Sequence, residues 1–339
     1  VTITQVAIYQ GIKRVLMLDG QPVESSVPLV QNRPTLVRIF YNAPFERVGN
    51  SVTARLTFEG KDPIDVAGFI SAASSSDGDL QSTLNISVDP ALIGPELKYS
   101  VAVLDFGSED NAAARWPIGD MHTVAVEGAP NTFRMVLAPF QYNADGSGRL
   151  PDLSPERVEQ FRQRFMQLYP VSNVEITVRK PHPWAGAIQP NGQGWQEVGF
   201  TLLGFRNQDG TAADVYYYGI FNPRPTYIDF CKQGCLLGVT LLNDMPPDVG
   251  SPQLRLALGV GYEENATNTS AHEVGHAHGR EHAPCGQVDP QSIDKSFPHA
   301  GGKIGVWGYD FFSDQLIDPA QGTDIMGYCR KLQWISDHN

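Results

Sequence analysis

The stretch SAHEVGHAHGREHAPCG, residues 270–286, holds four of the eight histidines in this 339-residue chain. Their spacing constrains the local backbone more tightly than anything else in the sequence. His272 and His276 are four apart, so on a helix they project from one face, one turn from each other. Two imidazoles so placed can grip one metal ion, and zinc accepts imidazole nitrogen at about 2.0–2.1 Å. In the H-E-x-x-H pattern Glu273 lies beside the open side of such a metal, where a carboxylate can take a proton from an acidified water. A catalytic zinc normally has three protein ligands, and His278 and His282 compete for the third place. His278 sits about 200° round the helix from His276 and points away. His282 would also point away on an unbroken helix, and returns only if the helix stops and the chain turns. Gly279, between them, is a residue that can stop a helix with positive φ. The geometry therefore prefers His272, His276 and His282 as ligands, with Gly279 as the turn and His278 as a bystander. A bare H-E-x-x-H arises by chance in many chains, but the longer string fixes five residues and is a much poorer candidate for a solvated histidine-rich helix.

Length suggests about two domains. The chain has 37 acidic and 25 basic residues, a formal charge of -12. That balance excludes a general attraction to nucleic-acid backbones or anionic membranes, and ordinary solubility accounts for it. No run approaches the roughly 18 apolar residues of a bilayer span, so membrane insertion is not expected. The chain begins at Val1 without a signal segment, as a processed mature chain would. Low charge content with 33 glycines and 25 prolines suggests a strand-rich, loop-rich protein.

The first third alternates with period two in residues 35–41, 51–58, 82–88, 98–104 and 122–128. Short strands at this spacing predict an antiparallel β-sandwich, immunoglobulin-like in plan, over residues 1–129. GAPNT (128–132) reads as a linker. From residue 130 the pattern changes. FRMVLAPF (133–140) reads as a strand. SPERVEQFRQRFMQLYP (154–170) reads as a helix, with Ser154 as N-cap, Pro155 at N1 and a stripe of Val158, Phe161, Phe165 and Leu168. Residues 174–180, 214–221 and 236–242 read as strands, 195–206 as a second helix and the histidine string as a third. The expected fold class is thus α+β, with a mixed α/β unit over 130–339. NADGSG (143–148) raises Ca²⁺ through Asn143, Asp145 and Ser147, but lacks the bidentate glutamate of a calcium loop, so a plain polar turn is the stronger reading.

The string His272-Glu273-Val274-Gly275-His276-Ala277-His278-Gly279-Arg280-Glu281-His282 resembles the extended zinc motif of the metzincin metallopeptidases. TDIMGYC (323–329) is similar to the methionine turn of that clan, with Met326 as the expected floor of the site. Tyr328 sits where astacin-like and serralysin-like members carry a tyrosine that holds the tetrahedral intermediate. IGVWGYD (304–310), QWISDHN (333–339) and YNADGSGRLPDLSPE (142–156) look similar to secreted bacterial metzincins of the mucin-degrading type.

The resemblance implies a metzincin-like catalytic unit with a twisted sheet, an active-site helix and one catalytic Zn²⁺. It also implies a protein or glycoprotein substrate lying along the strand that forms the upper rim of the cleft. The best candidate for that strand is LLGVTLL (236–242). Trp307 and Tyr309 either line the pocket beyond the cut bond or are core aromatics. Two disulfides follow from the same picture: Cys285–Cys329, tying the loop of the third histidine to the methionine turn, and Cys231–Cys235, closing CKQGC. They would place the chain in an oxidising, extracellular compartment. The expectation is a secreted, monomeric zinc endopeptidase with Glu273 as base and Tyr328 as oxyanion partner. The rivals are a protease that demands O-glycosylated protein, and an adhesin or binding module with a relic zinc site; an intact Glu273 speaks against the relic.

Overall fold

The computed structural model describes residues 1–25, 27–105, 111–127, 131–240, 253, 255–329 and 331–339. Residues 128–130 of the proposed linker 128–132, with the domain boundary among them, and the end of the 236–242 segment lie outside the described residues. The molecule is mixed α+β, rich in sheet and poor in helix. Among the described residues no helix is long and apolar enough to cross a membrane.

Two sheets make up the N-terminal part. In one, Thr2–Tyr9 is central, flanked by Lys13–Leu18 and by Thr35–Asn42, with Leu84–Val88 beyond. In the other, Glu96–Asp105 pairs with Ser51–Phe58 and His122–Glu127, and Ile64–Phe69 closes an edge. These pairs are antiparallel; one short pair, Leu29–Val30 with Val126 and Glu127, is parallel. Ser51–Phe58 buries every second residue, as a half-buried strand must. Its Val52, Ala54 and Leu56 meet Val37, Ile39 and Ile86 of the opposite sheet in one core.

Thr35–Asn42 departs from the expected alternation, because seven of its eight residues are buried. Its second face is covered as well: Leu36 and Phe40 pack with Ala7, Tyr9 and the distant Tyr309. The strands Thr2–Tyr9, Lys13–Leu18 and Ile64–Phe69 were not anticipated from the sequence.

The C-terminal part is built on a sheet in the order Asn173–Val178, Thr132–Tyr142, Val215–Phe221, Leu256–Val260, Gly238–Thr240. The first four are parallel to their neighbours, and Gly238–Thr240 is an antiparallel edge. Thr132–Tyr142 shows why helices cover both faces. Phe133, Met135 and Leu137 point to one core with Phe161 and Phe165 of the helix Pro155–Leu168. Val136 and Phe140 point to another with Val198, Leu202 and Phe205 of the helix Trp195–Asp209. Leu256–Val260 lies between two strands and is buried throughout. Its unbroken apolar run offers no period-two signal, the usual condition of an interior parallel strand.

The two parts meet around Arg33, which is 1% exposed. Its guanidinium and Nε donate to five carbonyls: Gln10, Met166, Gln167, Tyr169 and Val171. Three of these lie at the C-terminal end of the helix Pro155–Leu168, where carbonyls lack helical partners and a cation is favoured. Burial lowers the Arg33 pKa to about 9. Nearby, the Trp334 indole donates to Gly11 O at 2.8 Å, the Tyr309 amide donates to the same carbonyl, and the Lys13 amide donates to Trp307 O.

Candidate metal centre

The helix Ala266–Ala277 lays His272, Glu273 and His276 against the rest of the C-terminal part. It ends where the sequence suggested. Gly279 has φ +83°. Its amide donates to His276 O, and the amide of Arg280 donates to Gly275 O. That pair of bonds is the Schellman motif, which satisfies the last helical carbonyls and reverses the chain. The returning segment is held by two bonds to the next loop, His282 N to Ser292 O and Asp294 N to His282 O.

The three histidines converge. His276 Nε2 lies 3.1 Å from Nε2 of His272 and 3.1 Å from Nε2 of His282. The other ring nitrogen of each is committed elsewhere: His272 Nδ1 to Ile325 O at 2.8 Å, His276 Nδ1 to Arg280 O at 2.7 Å, and His282 Nδ1 to Ser292 Oγ at 2.9 Å. Ser292 Oγ donates its own proton to Asp289 O, so it accepts from His282. With all three protons on Nδ1, three Nε2 lone pairs face one another. Such an arrangement is repulsive until a cation lies between them. Tetrahedral ligands at about 2.05 Å from zinc would be about 3.3 Å apart, close to the separations seen. Burial depresses the imidazole pKa of His272 to about 4 and of His276 to about 3, and lowers that of His282. All are therefore neutral near pH 7, the form that binds metal. The cluster could hold a metal ion.

His278 is not part of it. Its ring stacks on Tyr216 at 4.6 Å between centroids, and its Nδ1 donates to Val274 O. It is a packing residue on the far side of the helix.

Glu273 is 7% exposed. Burial raises its carboxyl to about 8, against the opposing effect of a hydrogen bond with Thr240. Thr240 Oγ1 lies 2.7 Å from the Glu273 carbonyl and 3.2 Å from Oε2. Its single proton serves one of them, and the shorter contact is to the carbonyl. Gly238, in the same edge strand, makes room for the carboxylate, since a Cβ there would sit 2.6 Å from Glu273 Oε1.

Beneath the helix, Met326 is buried and its sulfur occupies the space a Gly275 side chain would need. The turn that carries it is held by Asp324, whose carboxylate is fully buried and accepts from the Met326 and Ser336 amides at 2.8 and 2.9 Å. Cys285–Cys329 joins this turn to the loop after His282, and Cys231–Cys235 closes its small loop. Tyr328 is 48% exposed, with its ring 4.9 Å from that of His282 and 5.7 Å from that of His272.

A cleft of about 500 Å³ opens over Glu273, His272 and Tyr328, lined also by Leu236–Gly238 and by Asn265, Asn268, Gln287 and Gln333, of which Asn268 donates to the Gln333 side chain at 3.1 Å. A depression of about 620 Å³ beside Trp116 and His122 is larger, but among the described residues no metal-ligand cluster converges there.

Trp307 and Tyr309, weighed as pocket-lining aromatics, lie elsewhere. Tyr309 packs against Tyr9 with centroids 6.1 Å apart, and Trp307 joins the same cluster between the two parts. The local reason is the antiparallel pairing of Gly308–Asp310 with Gln315–Ile317, which presents this face to the N-terminal sheet. At the calcium candidate, Asp145 accepts from the Ser147 amide and hydroxyl, and its second oxygen pairs with Arg149. Both carboxylate oxygens thus already have donors from the chain, one of them a cation.

Thr240, Asp324, Ser292 and Gly238 were missed by sequence reading. Asp324, two residues before Met326, and Gly238 and Thr240, within LLGVTLL (236–242), lay in segments already singled out, but no role was given to these side chains.

A family model, Peptidase M66, matches residues 257–333. The match spans the strand Leu256–Val260 almost entirely, the histidine helix, the returning loop and the methionine turn, and it supports a peptidase of a metallopeptidase family. Comparison with curated proteins gives no match.

Proposed function

We propose that the chain is a secreted zinc endopeptidase in which His272, His276 and His282 hold the ion and Glu273 is the general base. The observation that carries this reading is the set of three Nδ1–H commitments that leave three Nε2 lone pairs facing one another beside a buried carboxylate. A zinc ion there would supply Lewis-acid polarisation of the scissile carbonyl and acidification of the attacking water.

The chain's own residues do the rest. Glu273, buried at the floor of the cleft beside the three histidines, accepts the proton of the attacking water at its carboxylate and passes it to the leaving amine. Tyr328, at the mouth of the cleft, donates its hydroxyl to the oxyanion. The substrate backbone runs along the edge strand Gly238–Thr240 by strand addition. Residues 130–339 form the catalytic domain and residues 1–129 an accessory domain clamped to it at Arg33. The two disulfides fit an oxidising, extracellular compartment. A narrower reading, cleavage of O-glycosylated protein, is favoured by the neutral amide groups of Asn265, Asn268, Gln287 and Gln333, which suit sugar hydroxyls.

The test is cleavage of a broad peptide mixture by the purified protein, its chelated form and Glu273→Ala, with metal content measured alongside. Near one zinc per chain and activity lost in both treated samples is the expected result. Activity retained in Glu273→Ala would refute the mechanism. Cleavage of a mucin before and after enzymatic removal of its O-glycans decides the narrower reading.

A further inference from the structure

Gly238 and Gly259 face each other across the antiparallel pairing of the edge strand with its neighbour. Side chains of such a directly opposed pair share one face and lie about 4.5–5.5 Å apart. Two glycines therefore leave a slot in the sheet on the face toward the histidine helix. Glu273 Oε1 occupies one end, over Gly238. The hydroxyl of Tyr218 occupies the other, in the space a Gly259 side chain would need.

Tyr218 arrives from the strand Val215–Phe221, where it pairs with Ala257, and it is completely buried. Its hydroxyl has no hydrogen-bond partner among the described residues. A phenylalanine would fill the same space without burying a polar atom, so the orphaned hydroxyl needs an explanation. Glu273 has the complementary need. Once ionised, a buried carboxylate requires donors, and Thr240 gives its proton to the Glu273 carbonyl at the shorter distance.

We propose that Tyr218 is a positioning residue for Glu273, donating through one water in the Gly238–Gly259 slot to Oε1 of the ionised carboxylate. Two O–H···O bonds of about 2.7–2.8 Å span about 5 Å, and a buried water needs two to four polar partners. Leu237 O, 3.1 Å from the position of a Gly259 Cβ, provides a third. Glycine at both positions is what lets Glu273 and Tyr218 come this close to the sheet, since a Cβ at either would collide with them. The inference rests on Glu273 being the base.

Tyr218→Phe tests it with two readouts. In the zinc-loaded enzyme kcat falls about tenfold, as for loss of one hydrogen bond to a charged group, while KM stays within about twofold. In crystals of the metal-free wild-type protein an ordered water lies within hydrogen-bonding distance of both Tyr218 Oη and Glu273 Oε1, and it is lost in Tyr218→Phe. An undiminished kcat, or a dry slot in the wild type, overturns the proposal. If Tyr218→Phe does not fold, the wild-type crystal decides alone. Glu273→Gln inactive with Tyr218→Phe undiminished removes only this inference; Glu273→Gln fully active removes the peptidase mechanism itself.

Discussion

The protein buries two ionisable groups in opposite ways. Arg33, at the junction of the two parts, gives its donors to five carbonyls. Glu273, in the cleft, is nearly as buried, but among the described residues Thr240 alone reaches its carboxylate, and that hydroxyl lies closer to the Glu273 carbonyl. A closed set of hydrogen bonds holds structure together, because leaving any member unsatisfied is costly. An open set is poor for stability and useful for chemistry, because the group stays ready to exchange a proton. The contrast assigns stability to the junction and reactivity to the cleft.

The largest expected effect breaks the cleft alone. Glu273→Gln should lower kcat by about a thousandfold, within the range of a lost general base, and leave the melting temperature equal or higher, since a neutral amide is cheaper to bury. Peptide cleavage and a thermal melt check both halves; a melting temperature that falls with activity would put Glu273 among the structural groups. Breaking the junction should do the reverse. Arg33→Met orphans several buried carbonyls and should destabilise by about 3 kcal/mol. Urea unfolding would read that loss, with kcat of the folded fraction changed less than about threefold. If activity collapses while stability holds, the division between the regions is wrong.

A smaller effect sharpens the cleft side. Tyr328→Phe should cut kcat about thirtyfold with little change in KM, roughly 2 kcal/mol of transition-state stabilisation. Equal losses in binding and turnover would make Tyr328 a substrate contact instead. The smallest effect should come from Met326→Leu, a volume-conserving change beneath the helix, at about 1 kcal/mol of stability with zinc stoichiometry unchanged. Loss of zinc from this variant would show that the floor also sets the ligand geometry.

Much of the site was legible because its information is local. The i, i+4 spacing of His272 and His276 and the helix-stopping Gly279 act within one or two turns, so the backbone alone dictates how they project. The helix Pro155–Leu168 was legible for the same reason: Ser154, Pro155 and the apolar stripe all act at short range. The strand Leu256–Val260 was not, since burial on both faces erases alternation. Trp307 and Tyr309 were ambiguous because an aromatic side chain suits a pocket and a core equally well. Only the packing of the N-terminal sheet against them makes the choice.

By itself, then, the sequence determined which histidines could share a metal, where their helix ends and which carboxylate stands beside them, because covalent spacing and helical periodicity are local properties. Only the tertiary structure decided the rest. The Nδ1 partner of His272, the Thr240 and Gly238 surroundings of Glu273, the Ser336 amide on the Asp324 brace and the Arg33 clamp join residues far apart in the chain. Their roles depend on burial and on unsatisfied hydrogen-bonding capacity, and neither exists until the chain has folded.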